Sequence, residues 1–192
     1  MSALDVLSKD PVMRRLVDTY GIVTIGRNPI FVTLVRAVIS QQLSDTAASA
    51  IYCRLRQMTE ITPDAVLCLT PDAFRSCGIG TKKADSIRAI ALAARSGELE
   101  RVSKLPYEEV MQQLLTIPGV GRWTAQIVLI FGLGRRDVWP RDDVRLQRAA
   151  RNLYGITGQD ELIALGARFR PYRSHAAWYL WRSLSPRKSK NT

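Results

Sequence analysis

Histidine and cysteine are scarce in this chain, with one histidine and three cysteines among 192 residues. Cys53, Cys68 and Cys77 are odd in number, and none has the spacing of a zinc or iron–sulfur ligand set. No zinc and no cluster is therefore expected, and the thiols should be reduced and partly buried, as in a cytosolic-type compartment. His175 has no serine or cysteine beside it in a triad-like setting, so it is expected to be structural or to lie near a phosphate. No apolar run approaches the ~20 residues of a membrane span. The first twenty residues mix charges into a helical pattern and lack an apolar signal block, so no membrane partner is expected. Alternating β-branched runs are scarce too, which leaves little from which to build a sheet.

Acid is the remaining deficit. Against 28 Lys+Arg stand 17 Asp+Glu, for a formal charge of +11 and a pI near 10.1. That imbalance favours polyanions through counterion release and points to DNA or RNA. A basic protein with no such partner, or one that touches acidic lipid, would show the same charge. Charge sets the class of partner and leaves the activity open.

What is present is mostly helix. At 46% hydrophobic, 192 residues can bury a core in one domain or two small lobes. Apolar periodicity predicts helices over Pro29–Leu43 and Ser44–Leu55. Thr62-Pro63-Asp64 and Thr70-Pro71-Asp72 each read as a helix start, with a Thr cap, a Pro at the first position and an acid at the positive dipole end. Further helices are expected at Lys82–Ser96, Pro106–Leu115, Arg122–Leu133, Asp142–Tyr154, Gln159–Arg168 and Pro171–Leu184. The expectation is an all-α protein of about ten short helices. Pro186 to Thr192 reads as a basic tail.

Residues 116–145 carry the chemistry. In Ile117-Pro118-Gly119-Val120-Gly121-Arg122 a turn enters an amphipathic helix, so N–H groups near Gly119, Gly121 and Thr124 would face outward at its positive end. Glycines let such a turn approach a phosphate closely. Gly78-Ile79-Gly80-Thr81-Lys82 echoes this hairpin 41 residues earlier. The echo either adds a phosphate contact through Lys82 and Lys83 or is an ordinary inter-helix turn. Asp142 and Asp143 follow Pro140 at a helix start, where one acid suffices for capping and the other is left for a second role. A helix N-terminus also favours the ionised carboxylate. Arg145, Arg148 and Arg151 follow on the same helix and could hold it to phosphates or to the rest of the protein.

Three blocks together resemble the helix–hairpin–helix (HhH-GPD) superfamily of base-excision DNA glycosylases, in its 3-methyladenine DNA glycosylase II branch. They are Arg36 to Ser44 (RAVISQQLS), Ile117 to Ala125 with Pro140 to Asp143, and Arg170 to Trp181 (RPYRSHAAWYLW). The resemblance implies a two-lobed helical fold with the active site in a cleft between the lobes. The central lobe would span about 30–140, and the second would combine the N-terminal segment with 141–185. An N-terminal β-rich domain of larger relatives has no counterpart, so the chain looks like a minimal form. The implied activity is removal of alkylated purines such as 3-methyladenine and 7-methylguanine from damaged double-stranded DNA by a monomer. The implied location is cytoplasmic: at the nucleoid, or in the nucleus of a eukaryote.

The family match also distributes roles. Asp143, rather than Asp142, matches the catalytic carboxylate. Trp123 and Trp181 match residues that line the base pocket, where cationic methylated bases would stack. Trp178 and Tyr179, their neighbours, are expected in the core. Ile127 and Val144 stand where relatives often carry tyrosine, which implies a roomier pocket. Gly119, Gly121, Arg122 and Thr124 match the phosphate grip, with Lys82 beside the echo. Ile39, Gln41 and Leu43 lie in the wedge region that fills the gap left by an extruded base, with Ile39 the closest match and Leu43 the runner-up. Strand-cleaving members carry a lysine where this chain has Trp123, and an indole cannot form their Schiff base. The resemblance therefore implies a monofunctional enzyme. It also allows a structural Na⁺ or K⁺ on the carbonyls of Leu115, Ile117 and Val120. A non-catalytic DNA-structure binder, or a glycosylase for deaminated, oxidised or etheno bases, remains open at this point.

Overall fold

The computed structural model describes residues 2–184; the expected tail at 186–192 lies outside them. The described residues form α-helices and one π-helical turn, with no strand among them. In chain order the helices are α1 (Ala3–Leu7), α2 (Pro11–Tyr20), α3 (Ile30–Ser40), α4 (Asp45–Met58), α5 (Pro63–Leu67), α6 (Pro71–Cys77) and α7 (Thr81–Arg95). They continue with α8 (Glu98–Val102), α9 (Tyr107–Leu115), α10 (Arg122–Ile127), α11 (Val144–Tyr154), α12 (Gln159–Arg168) and α13 (Arg173–Ser183). None of them is long and apolar enough to cross a membrane.

Local chemistry explains most of the boundaries. The hydroxyls of Thr62 and Thr70 accept from the N–H of Ala65 and Ala73, as the two Thr-Pro-Asp starts require. The expected helix over Arg122–Leu133 instead divides. After Ile127 the register widens to a π turn over Val128–Gly132, closed by the Leu133 N–H on the Val128 carbonyl at 2.9 Å. Three helices add to the expected ten: the five-residue α1 and α8, and α2, where the sequence showed only a helical pattern without bounds.

The chain divides into two compact units. One spans Gly26–Gly134; the other combines the residues up to Ile25 with those from Arg135 onward. In the first, α3 is apolar nearly all round and sits centrally, packing on α4, α7, α10 and the π turn. Leu34, Val38, Ile87, Ile90, Leu114 and Leu129 fill its core.

In the second unit the core joins Met13, Leu146, Leu165, Phe169, Ala177 and Leu180. Trp139 lies so close to α12 that a Cβ at Gly166 would strike its indole, and its N–H donates to the Leu162 carbonyl. Buried Asp10 caps α2 through the N–H groups of Val12 and Met13. It also accepts from the Tyr154 hydroxyl and the Arg168 guanidinium, and so ties α2 to α11 and α12.

Candidate functional site

The unit Gly26–Gly134 presents the glycine hairpin. After α9, the Val120 N–H bonds back to the Ile117 carbonyl at 3.0 Å, closing the turn. The two glycines serve different ends. Gly119 has φ +84°, and a Cβ there would be driven into the Ser86 side chain of α7, so the fold itself demands glycine. Gly121 has φ −90° and open space where a Cβ would stand. Among the described residues no atom requires glycine at that position.

Gly121 is also the N-cap of α10 and offers no side-chain bond to that helix's first N–H groups. Arg122 is exposed beside it, and Trp123 and Ile127 are half-buried along α10. The side chain of Thr124 is buried, and its hydroxyl accepts from Gln41 Nε2 at 3.1 Å. Thr124 thus faces Gln41 and the interior, and does not present its side chain to solvent. Leu115, Ile117 and Val120 supply neutral carbonyl oxygens, a donor set chemically suited to a monovalent cation. Ile117 shares its oxygen with the hairpin's own closing bond.

The earlier echo is a backbone duplicate. Gly78 is left-handed at φ +88°, buried Ile79 follows, and Gly80 is extended (φ −69°, ψ 160°) as the N-cap of α7. This repeats the Gly119, buried Val120 and extended Gly121 sequence (φ −90°, ψ 176°). Lys82 is exposed, but Lys83 turns inward. Its Nζ donates to the carbonyls of Ile39 at 2.6 Å and Gln41 at 2.8 Å, where α3 ends.

This corner corrects one expectation. Ile39, matched to the wedge, is only 1% exposed and belongs to the core, because α3 continues past it to Ser40 with that face turned inward. The turn itself is made by Gln41, Gln42 and Leu43. Gln42 holds φ +58°, the sole left-handed non-glycine among the described residues, and Leu43 is 39% exposed. Gln41 faces the hairpin instead, donating to the Gly119 carbonyl as well as to Thr124.

The second unit carries the acid. Asp143, 6% exposed, is the N-cap of α11. Its Oδ1 accepts from the Leu146 N–H at 2.6 Å and from the Trp181 indole N–H at 3.1 Å. The acid used for capping is thus Asp143 itself, while Asp142 stands half-exposed, 3.9 Å from Arg141. Val144, next to the acid, is 75% exposed.

Two donors on one carboxylate oxygen fix the acid's rotation. The C-terminal block supplies more than the indole. At the start of α13, the Arg173 guanidinium pairs with Asp137 at 2.6 and 3.1 Å and also donates to the Asp137 main-chain carbonyl. Buried Ser174 donates through Oγ to the Arg135 carbonyl, accepts from the Val138 N–H, and gives its own N–H to the Arg136 carbonyl. α13 therefore clamps the strap that leads to Pro140 and the acid, then reaches the acid itself through Trp181.

His175 lies buried on the same helix, edge-on to Tyr172, with Nδ1 lacking a partner. Burial, and secondarily Arg136, push its pKa down. Its setting is that of a packed side chain. Tyr179 is likewise core, its hydroxyl bonded to the Gly21 carbonyl, and Trp178 is half-buried against it.

Comparison with known proteins identifies the family and the fold. A model of the HhH-GPD superfamily of base excision DNA repair proteins matches residues 35–169. DNA-3-methyladenine glycosylase 1 of Schizosaccharomyces pombe is 36% identical over 160 residues, covering 78% of this chain and 70% of that protein. The alkylbase DNA glycosidase-like protein mag2 of the same yeast is 34% identical, covering 77% and 75% respectively. The structure of an S. pombe 3-methyladenine DNA glycosylase in complex with abasic DNA superposes with a TM-score of 0.85 at 33% identity, covering 95% of this chain and 96% of that one.

Proposed function

Because the chain belongs to the HhH-GPD superfamily of base excision DNA repair proteins, we propose that it is a DNA glycosylase that removes alkylated purines from duplex DNA and leaves an abasic site. The observation that carries this reading is the fixed carboxylate of Asp143, held at a helix N-terminus by the Leu146 N–H and the Trp181 indole. Relatives named for 3-methyladenine support the substrate class.

The chemistry follows from charge. A purine methylated at a ring nitrogen is already cationic, so it leaves with the electron pair of the N-glycosidic bond and needs little protonation. The sugar becomes an oxocarbenium-like cation, which the Asp143 carboxylate stabilises while it orients or deprotonates the attacking water. Trp123 and Trp181 are each half-buried indoles, and an indole face attracts a cationic ring by ~0.5–2 kcal/mol. The open space at Gly121 and the uncapped start of α10 suit a DNA phosphate, with exposed Arg122 and Lys82 adding charge. A monovalent cation on the carbonyls of Leu115, Ile117 and Val120 would raise the positive field of that turn. With Trp123 where a Schiff-base lysine would stand, the reaction stops at hydrolysis and the strand is left intact.

The test is base release from duplexes bearing 3-methyladenine, 7-methylguanine, 1,N6-ethenoadenine or hypoxanthine, read as strand cleavage only after hot alkali. The wild type should release the methylated purines, and Asp143→Asn should lose release while keeping DNA affinity. Release by Asp143→Asn at the wild-type rate would remove the catalytic assignment. Failure on every substrate would leave a DNA-structure binder.

A further inference from the structure

We infer that Lys83 and Gln41 are positioning residues that lock the Gln41–Leu43 turn to the glycine hairpin, so that gripping the backbone sets the depth of the gap-filling turn. The inference rests on the glycosylase reading for what the turn does. Its geometry stands by itself, and every contact lies within the unit Gly26–Gly134.

Lys83 occupies the first turn of α7, where a cation opposes the helix dipole. Its placement makes sense for a different helix. At the end of α3 the last carbonyls have no intrahelical partner, and the Lys83 ammonium takes two of them, those of Ile39 and Gln41. The same contact explains why Lys83 is half-buried while neighbouring Lys82 is exposed. An ammonium satisfied by two carbonyls is poorly placed to bind a phosphate.

Gln41 completes the lock from the other side. Its amide nitrogen spans the Gly119 carbonyl in the hairpin and the Thr124 hydroxyl in α10, both at 3.1 Å. The turn is therefore tied at its base to both glycine hairpins, the first through Lys83 and the second through Gln41. Directly after these ties stands Gln42 in a left-handed conformation that non-glycine residues seldom adopt. A conformation of that kind persists only where its surroundings over-determine it; here the two ties fix the backbone before it, and the Leu43 N–H closes the turn on the Ser40 carbonyl at 3.2 Å.

The consequence is a division of labour that binding can resolve. Affinity for an intact duplex depends on charge and on the hairpin, neither of which requires the lock. Affinity for a duplex that already contains a gap requires the turn at the right height. The experiment measures fluorescence anisotropy with an intact duplex and with one holding a tetrahydrofuran abasic analogue, for wild type, Lys83→Met, Lys83→Arg and Gln41→Met. Wild type should prefer the abasic duplex. Lys83→Met and Gln41→Met should each reduce that preference about tenfold, the change that ~1.4 kcal/mol produces. The loss of one positive charge in Lys83→Met should by itself weaken binding to both duplexes alike, without changing their ratio. Lys83→Arg should recover most of it, and the double variant should be no worse than the weaker single variant, because the two residues act as one unit.

An unchanged preference, even with a parallel loss on both duplexes, or a wild type without preference overturns the inference. Should Lys83→Met fail to fold, Gln41→Met decides alone. Base release is scored separately. A lost preference in a protein that releases no base sinks the glycosylase reading and leaves the lock in place.

Discussion

Replacing Trp181 with phenylalanine separates two jobs that one side chain has been given. The ring face survives the substitution, so stacking on a base should persist. The indole N–H is lost, and with it the 3.1 Å bond to Asp143 Oδ1. A hydrogen bond to a charged group contributes about 1.5–3 kcal/mol net. The Leu146 N–H still holds the same oxygen at 2.6 Å, so the carboxylate keeps one restraint and the lower part of that range applies. At 1.4 kcal/mol per factor of ten, the expected cost is roughly a 10–30-fold slower chemical step.

The assay is single-turnover release of 7-methylguanine with enzyme in excess, beside the affinity for the substrate duplex and the melting temperature. Slower release at unchanged affinity is expected, with a stability loss no larger than the ~1.5–2 kcal/mol of the lost bond, since the missing interaction orients the acid and does not bind DNA. Wild-type release combined with weakened substrate binding would refute the reasoning and reduce Trp181 to a stacking face.

Two further outcomes follow from the same geometry. Gly119→Ala should destabilise the protein by about 2–4 kcal/mol in urea unfolding, from the left-handed backbone and the collision with Ser86; Gly121→Ala should leave stability within about 1 kcal/mol, since alanine fits there, yet weaken DNA binding, and equal stability of the two variants would sink the distinction. For His175, whose folded pKa lies below the ordinary 6.5, the unfolded chain takes up the proton first. Stability from neutral His175 is thus complete above pH 6.5 and is lost as pH falls from there through the lower folded value, at up to ~1.4 kcal/mol per pH unit. His175→Gln should flatten the decline in unfolding free energy between pH 7 and 5, and parallel profiles for the two proteins would count against the assignment.

The parts of this molecule that were legible in the sequence are those whose physics is local. Thr62-Pro-Asp and Thr70-Pro-Asp announce helix starts because cap, proline and acid all act within one turn, and both starts appear. α1 went unread: the Ser2–Asp5 capping box is a local signal, but the five residues that follow carry too little periodicity to stand out. The π turn left no mark, because Val128 to Gly132 is as apolar as the helix that feeds it. Ile39 was misplaced for a related reason. Proximity to a matched motif says which turn matters, whereas the face on which a side chain lies depends on where α3 ends, and the carbonyls of Ile39 and Gln41 are secured by a lysine 44 and 42 residues away.

Lys83 shows how part of that non-local information could still be read. A cation in the first turn of a helix is locally unfavourable by about 0.3–1 kcal/mol. A residue that breaks a local rule without a local gain implies a distant partner, and the partner's chemistry is constrained: a lysine needs acceptors. Two classes of acceptor were available to it, phosphates outside the protein and carbonyls at the end of another helix. Choosing between them takes the fold, because only tertiary packing brings α3's end to α7's beginning. The same logic applies to Arg170–Trp181. Its Trp181 reads as part of an aromatic pocket, but Arg173 and Ser174 need partners as well, and they find them in the strap that carries the chain to Asp143.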